Sequence, residues 1–157
     1  MKIEKKLIRY NHSSRRGAKP IYIVVHDTGN RNKGAGAMNH YKYFNGGNRN
    51  ASAHYFVDDK HVVETVETSR SAWHCGDGRG RFGIYNNNSI GVEICINPDS
   101  DYEVALENAR VLIRELMKFY NIPLGRVVRH YDASRKICPG SMSANNWQKW
   151  WEFKSSI

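Results

Sequence analysis

At 157 residues the chain has the usual length of one domain, and residues 1–157 are expected to form a single unit. Apolar residues make up 40% and charged residues 25%, a globular balance that excludes disordered, collagen-like and repeat proteins. Lys and Arg outnumber Asp and Glu by 24 to 15, and seven of these cations lie in the first 20 residues against Glu4 alone. Such an arm attracts polyanions without choosing among them, and a solvated basic surface is its plainer reading.

After that arm, Ile21-Tyr-Ile-Val-Val-His26 reads as an interior strand, because both alternating sets of side chains are largely apolar. A helix is expected over about residues 34–44, with Ala37, Tyr41 and Phe44 on one face. Residues 54–57 and 62–66, separated by Asp58-Asp-Lys60, predict a hairpin. The glycine-rich stretch from Ser71 to Ser89 is long for a plain connector and reads as a functional rim loop. Ile90-Gly-Val-Glu-Ile-Cys-Ile96 is a strand with Ile90, Val92, Ile94 and Ile96 on one face and Glu93 on the other. Ser100 and Glu103 have capping-box spacing ahead of the clearest helix, which should end near Asn121, before Pro123. Val127-Val-Arg-His130 resembles a short strand, followed by irregular chain to Gly140. Asn145 or Asn146 is expected to cap a last helix whose Trp147, Trp150 and Trp151 share a face that seals the core. The order predicts an α/β fold, a mixed central sheet flanked by helices.

The expected sheet leaves several reactive side chains at strand ends or in loops. His26, His130 and Cys138 are of the types that ligate zinc, although each histidine alone reads equally as a hydrogen-bonded strand-end residue and the cysteine as inert. Their separations of 104 and 8 residues are unlike a compact zinc finger. Glu93 can carry protons beside such a metal, or can be a simple rim charge. Lys136, two residues before Cys138, would project to the same side in an extended backbone, to stabilise an oxyanion or to sit in solvent. His54 and His74 are candidates for orienting substrate; His12, His40 and His61 have no comparable setting. Three cysteines are too few for a disulfide scaffold, and Cys95 reads as a small buried hydrophobe.

Five segments carry a resemblance: Ile23-Val-Val-His26, Ser52-Ala-His-Tyr-Phe56, Trp73-His74, Asn88-Ser-Ile-Gly-Val-Glu93 and His130-Tyr-Asp-Ala-Ser-Arg-Lys-Ile-Cys-Pro-Gly140. Over about residues 20–152 the chain resembles the type-2, zinc-dependent N-acetylmuramoyl-L-alanine amidases, the group that includes bacteriophage T7 lysozyme and the peptidoglycan recognition proteins. The last segment is the most specific. The resemblance implies a fold of that type, with His26, His130 and Cys138 holding Zn2+, Glu93 and Lys136 as catalytic residues, and His74 bordering the groove. Where T7 lysozyme has an active-site tyrosine this chain has His54, and Tyr55 faces the other way if the strand is regular. The implied activity is hydrolysis of the amide between N-acetylmuramic acid and L-alanine in peptidoglycan; a noncatalytic peptidoglycan-binding module is the alternative.

The start, Met1-Lys-Ile-Glu-Lys-Lys6, lacks the apolar run of a secretory signal, and no stretch approaches the roughly 18 apolar residues of a membrane helix. With the resemblance, this leads to the expectation of a monomeric phage endolysin catalytic domain, made in the host cytoplasm and released to the wall, or alternatively a secreted autolysin domain. No signature points to a specific nucleic-acid partner.

Overall fold

The structure, a computed structural model, describes residues 2–157. A six-stranded sheet runs in the order β1 (Ile3–Lys5), β5 (Val62–Glu64), β4 (Tyr55–Val57), β7 (Ser89–Ile94), β3 (Tyr22–Asp27), β8 (Val127–Arg129). Pairing is parallel except between β4 and β5, the two arms of the expected hairpin, so the sheet is mixed. β2 (His12–Ser14) and β6 (Arg70–Ala72) form a separate antiparallel pair. The helices are α1 (Ala37–Asn45), α2 (Tyr102–Tyr120), α3 (His130–Ser134) and α4 (Ala144–Ser155). Among the described residues no helix is long and apolar enough to cross a membrane.

Alternation along the central strands divides the sheet into two unlike faces. Ile23, Val25, Ile90, Val92 and Ile94 turn to one side and pack on Leu106, Leu112, Ile113, Trp150 and Phe153 of α2 and α4. Tyr55 joins this core and therefore faces away from His54, as strand geometry predicts. The register pairs His26 with Glu93 across β3 and β7, which sets both on the opposite face.

Five expectations need correction. The basic N-terminal arm is not merely solvated: β1 adds to the edge of β5, β2 pairs with β6, and Arg15 is buried, with only 4% of its surface exposed. Its guanidinium donates to the carbonyls of Thr68 (2.7 Å), Asn87 (2.6 Å) and Ser89 (2.9 Å). The 71–89 rim is not continuous loop, since β6 reaches Ala72 and short 3-10 turns occupy Gly76–Gly78 and Asn86–Asn88.

Asp101, rather than Ser100, caps α2, accepting from the amides of Glu103 (3.0 Å) and Val104 (3.2 Å). Ser100 instead donates to Asp59, and Glu103 pairs with Lys149. At the last helix Asn145, Asn146 and Trp147 all adopt left-handed backbone angles, so neither asparagine is an ordinary N-cap. The three tryptophans do not share one buried face: Trp150 is buried and Trp147 packs against the same core, while Trp151, one residue further along the helix, is half exposed. Trp147 lies against the Arg129 guanidinium, 4.4 Å from its ring centroid.

Candidate metal centre

β3 and β8 are parallel neighbours, so their carboxyl ends lie together, the place where open α/β sheets hold ligands. His26 occupies the penultimate position of β3. β8 ends at Arg129, and His130, expected as the last strand residue, opens α3 instead. The chain then returns, closed by the Tyr131 amide donating to the Cys138 carbonyl (3.1 Å), and brings Cys138 back to the two histidines. His26 Nδ1 is 3.1 Å from His130 Nδ1 and 3.8 Å from Cys138 Sγ. All three donor atoms lie within 4.8 Å of one another, and all three residues are buried.

The environment suits a metal ion. Burial pushes the His26 and His130 pKa values down and so favours neutral imidazole, the form that ligates. The remote nitrogen of each ring is already engaged: His130 Nε2 donates to Asp77 Oδ1 at 2.7 Å, and His26 Nε2 meets His74 Nδ1 at 3.0 Å. Two imidazoles thus turn their Nδ1 atoms toward one another beside a sulfur, a convergence of electron-pair donors that a cation satisfies. Burial drives the Cys138 thiol above its ordinary range, so metal uptake there must displace its proton. Asp77 arrives through a close backbone approach: a Cβ on Gly78 would lie 2.2 Å from the Ala133 carbonyl oxygen of α3. Glycine is the residue that fits.

Glu93 Oε1 lies 3.9 Å from His26 Nδ1, and Glu93 Oε2 has no hydrogen-bond partner. Burial raises its pKa to about 8, with Asp27 adding to the effect and Lys136 opposing it. A carboxyl with one free oxygen beside the donor cluster can both take and give a proton. Lys136 is exposed and lines the mouth. The backbone there is not extended as expected, because the Cys138 amide donates back to the Lys136 carbonyl (2.8 Å) in a tight turn. A groove of about 690 Å³ opens beside the centre between Trp73, Asp77, Arg79, Asn86, His130 and Lys136. A second depression of about 280 Å³, which Lys136 also lines, runs along Asp27, Thr28, Arg31 and Ile137. The 71–89 segment thus walls the groove, and the residues after Thr28 wall the second depression.

His74 borders the groove, but its ring nitrogens face His26 and Ser89. His54 is fully buried and does not reach the groove. Its Nδ1 accepts from the Gly91 amide (3.0 Å), its Nε2 contacts the Arg70 carbonyl (3.1 Å) and Arg15 Nη2 (3.0 Å), and burial lowers its pKa to about 3. This geometry ties β6 to β7 and leaves no nitrogen for a substrate. Asp77 and Ser89 are functional contacts that the sequence does not announce. The only signal for Asp77 was an acid set between two glycines, Gly76 and Gly78.

A family model described as N-acetylmuramoyl-L-alanine amidase matches residues 16–141. Among curated relatives, N-acetylmuramoyl-L-alanine amidase CwlH of Bacillus subtilis (strain 168) is 45% identical over 139 residues, 87% of this chain and 55% of that protein. XlyA of the same organism, also named an N-acetylmuramoyl-L-alanine amidase, is 39% identical over 138 residues, 88% of this chain and 44% of that protein. The chain spans about half the length of the curated relatives it matches. The solved catalytic domain of XlyA is similar over 100% of this chain and 99% of its own, with a TM-score of 0.88 at 37% identity. A mutant endolysin from Bacillus subtilis gives 0.89 at 39% identity, covering 100% of this chain and 99% of that one. In sequence and in architecture, then, the chain belongs to the N-acetylmuramoyl-L-alanine amidase family.

Proposed function

We propose that this chain is a zinc-dependent amidase domain that hydrolyses the bond between the lactyl carbonyl of N-acetylmuramic acid and the amine of L-alanine in peptidoglycan. The observation that carries the reading is the convergence of His26 Nδ1, His130 Nδ1 and Cys138 Sγ beside a Glu93 carboxyl with an unpartnered oxygen, at the side of an open groove. Two neutral imidazoles and one thiolate are a donor set that suits zinc and leaves room for a further ligand. Zinc held by these three residues would supply Lewis acidity toward the carbonyl and lower the pKa of water.

The remaining work falls to the chain's own groups. Glu93, beside His26, accepts the proton of the attacking water on its carboxylate and returns it to the departing alanine nitrogen. Lys136 places an ammonium at the mouth, where negative charge on the former carbonyl oxygen is favoured. His26 and His130 stay neutral because the site is buried. An open groove suits a strand of polymer better than a small enclosed ligand would. The similarity to a solved endolysin supports action on the bacterial wall.

Product analysis on defined muropeptides tests the reading. Digestion should expose the amino terminus of L-alanine and leave the glycan chain uncut, and the activity should vanish with chelator and return with zinc. Binding to peptidoglycan with no new amine under any metal condition would identify a noncatalytic wall-binding module instead.

A further inference from the structure

Behind His26 runs a chain of groups whose hydrogen-bond directions follow from one atom that has no choice. The Tyr85 carbonyl can only accept, and Ser89 Oγ lies 2.6 Å from it, which commits the hydroxyl proton there. Ser89 Oγ then offers only lone pairs to His74 Nε2, 3.1 Å away. The His74 proton therefore sits on Nε2, and Nδ1 is bare. Because His74 Nδ1 is 3.0 Å from His26 Nε2, His26 donates to it and keeps its own proton on Nε2. His26 Nδ1 is left unprotonated, facing His130 Nδ1 and Cys138 Sγ.

The backbone is shaped around this ring. Gly91 stands in the interior of β7, where glycine weakens a strand, and its φ is not in the left-handed region. A Cβ at this position would lie 2.5 Å from His74 Cγ and 2.8 Å from Nδ1. The space a side chain would fill is taken by the imidazole. On the loop side, Asn86 Oδ1 accepts from the amides of His74 (3.0 Å) and Cys75 (2.9 Å), and Arg15 holds the Ser89 carbonyl.

We propose that His74, set by Ser89 and the Tyr85 carbonyl, is a positioning residue that fixes the tautomer of His26 so that Nδ1 is the donor offered to the metal. This deepens the function proposed above and rests on its three-residue metal centre. The other imidazole ligand is backed differently: His130 leans on the carboxylate of Asp77, whereas His26 leans on a neutral ring. Outer partners of this kind orient a ligand and tune its basicity.

Metal-free protein labelled with 15N-histidine tests the proposal, because long-range 1H–15N spectra distinguish the two tautomers of each ring. Wild type should show His26 protonated at Nε2 alone. His74→Phe keeps a ring but removes the acceptor; the His26 proton should redistribute, and zinc affinity by chelator competition should weaken about 10–100-fold. His74→Asn, whose Oδ1 can accept where Nδ1 did, should restore most of that affinity. A His26 proton on Nδ1 in wild type, or wild-type tautomer and affinity in His74→Phe, would overturn the proposal. If His74→Phe does not fold, Ser89→Ala decides: the His74 proton should no longer be confined to Nε2, and an unchanged His74 spectrum counts against the relay. Failure of wild type to bind zinc would defeat the proposed function while leaving the tautomer result standing, so the two are separable.

Discussion

The two faces of the central sheet solve different problems with the same backbone. On one, Ile23, Val25, Ile90, Val92 and Ile94 meet α2 and α4 through contacts that are numerous and without direction. On the other, His26 and Glu93 sit side by side in register, and each depends on particular atoms at particular distances. A core of the first kind tolerates exchange of one apolar group for another of similar volume. The second kind has no equivalent substitutes, since moving one donor by an ångström ends a hydrogen bond.

Predictions from this contrast can be ranked by size. Replacing Cys138 with serine removes the thiolate and should abolish tight zinc binding and hydrolysis together; metal analysis after dialysis is the check, and stoichiometric zinc with full activity would remove Cys138 from the centre. Glu93→Gln should lower turnover by about 10²–10⁴-fold while zinc content and thermal stability hold, because only the proton carrier is lost. Equal kcat in the two proteins would mean that the carboxylate carries no proton.

The apolar face should respond in the opposite way. Leu112 is fully buried against the sheet, and Leu112→Ala should cost about 2–5 kcal/mol in denaturant unfolding. Its kcat per folded molecule should match wild type; a loss of turnover without a loss of stability would show that the faces are coupled.

Acid should also tell the faces apart. His54 takes its proton near pH 6.5 when unfolded but only near about 3 when buried, so its share of stability is complete above pH 6.5 and drains away as pH falls toward 3. At pH 5 that loss is about 2 kcal/mol. His26 and His74 shift in the same direction, while Glu93, whose pKa is raised to about 8, shifts the other way and offsets about one imidazole. Metal-free protein should therefore melt at a lower temperature at pH 5 than at pH 7. A midpoint that did not move would contradict the burial of neutral imidazoles.

How much could be read from the sequence follows the same division. A continuous apolar run disclosed β3, alternation β7, two short runs about a polar turn the hairpin, and helical spacing α2, because apolar burial leaves a trace in the sequence. Residue type and position raised His26, Glu93, His130, Lys136 and Cys138 as candidates, and family resemblance joined them into one site; the structure brings His26, His130 and Cys138 together, with Glu93 beside His26 and Lys136 at the mouth. Residues that act by touching these leave no period and little spacing. Ser89 looks like any strand-start serine, and spacing does not tell that the His54 ring meets Arg15 while the His74 ring meets His26. The same limit explains Asp101: two adjacent residues could cap α2, and only the chain's path selects between them.

Arg15 carries a last consequence. Its guanidinium gathers carbonyls from Thr68, Asn87 and Ser89, yet the match to the family model begins one residue later, at position 16. An expression boundary drawn at that border by sequence likeness alone would discard the fastener beneath the serine that steers His74, and what looks like trimming of a charged leader would loosen the floor of the reaction site.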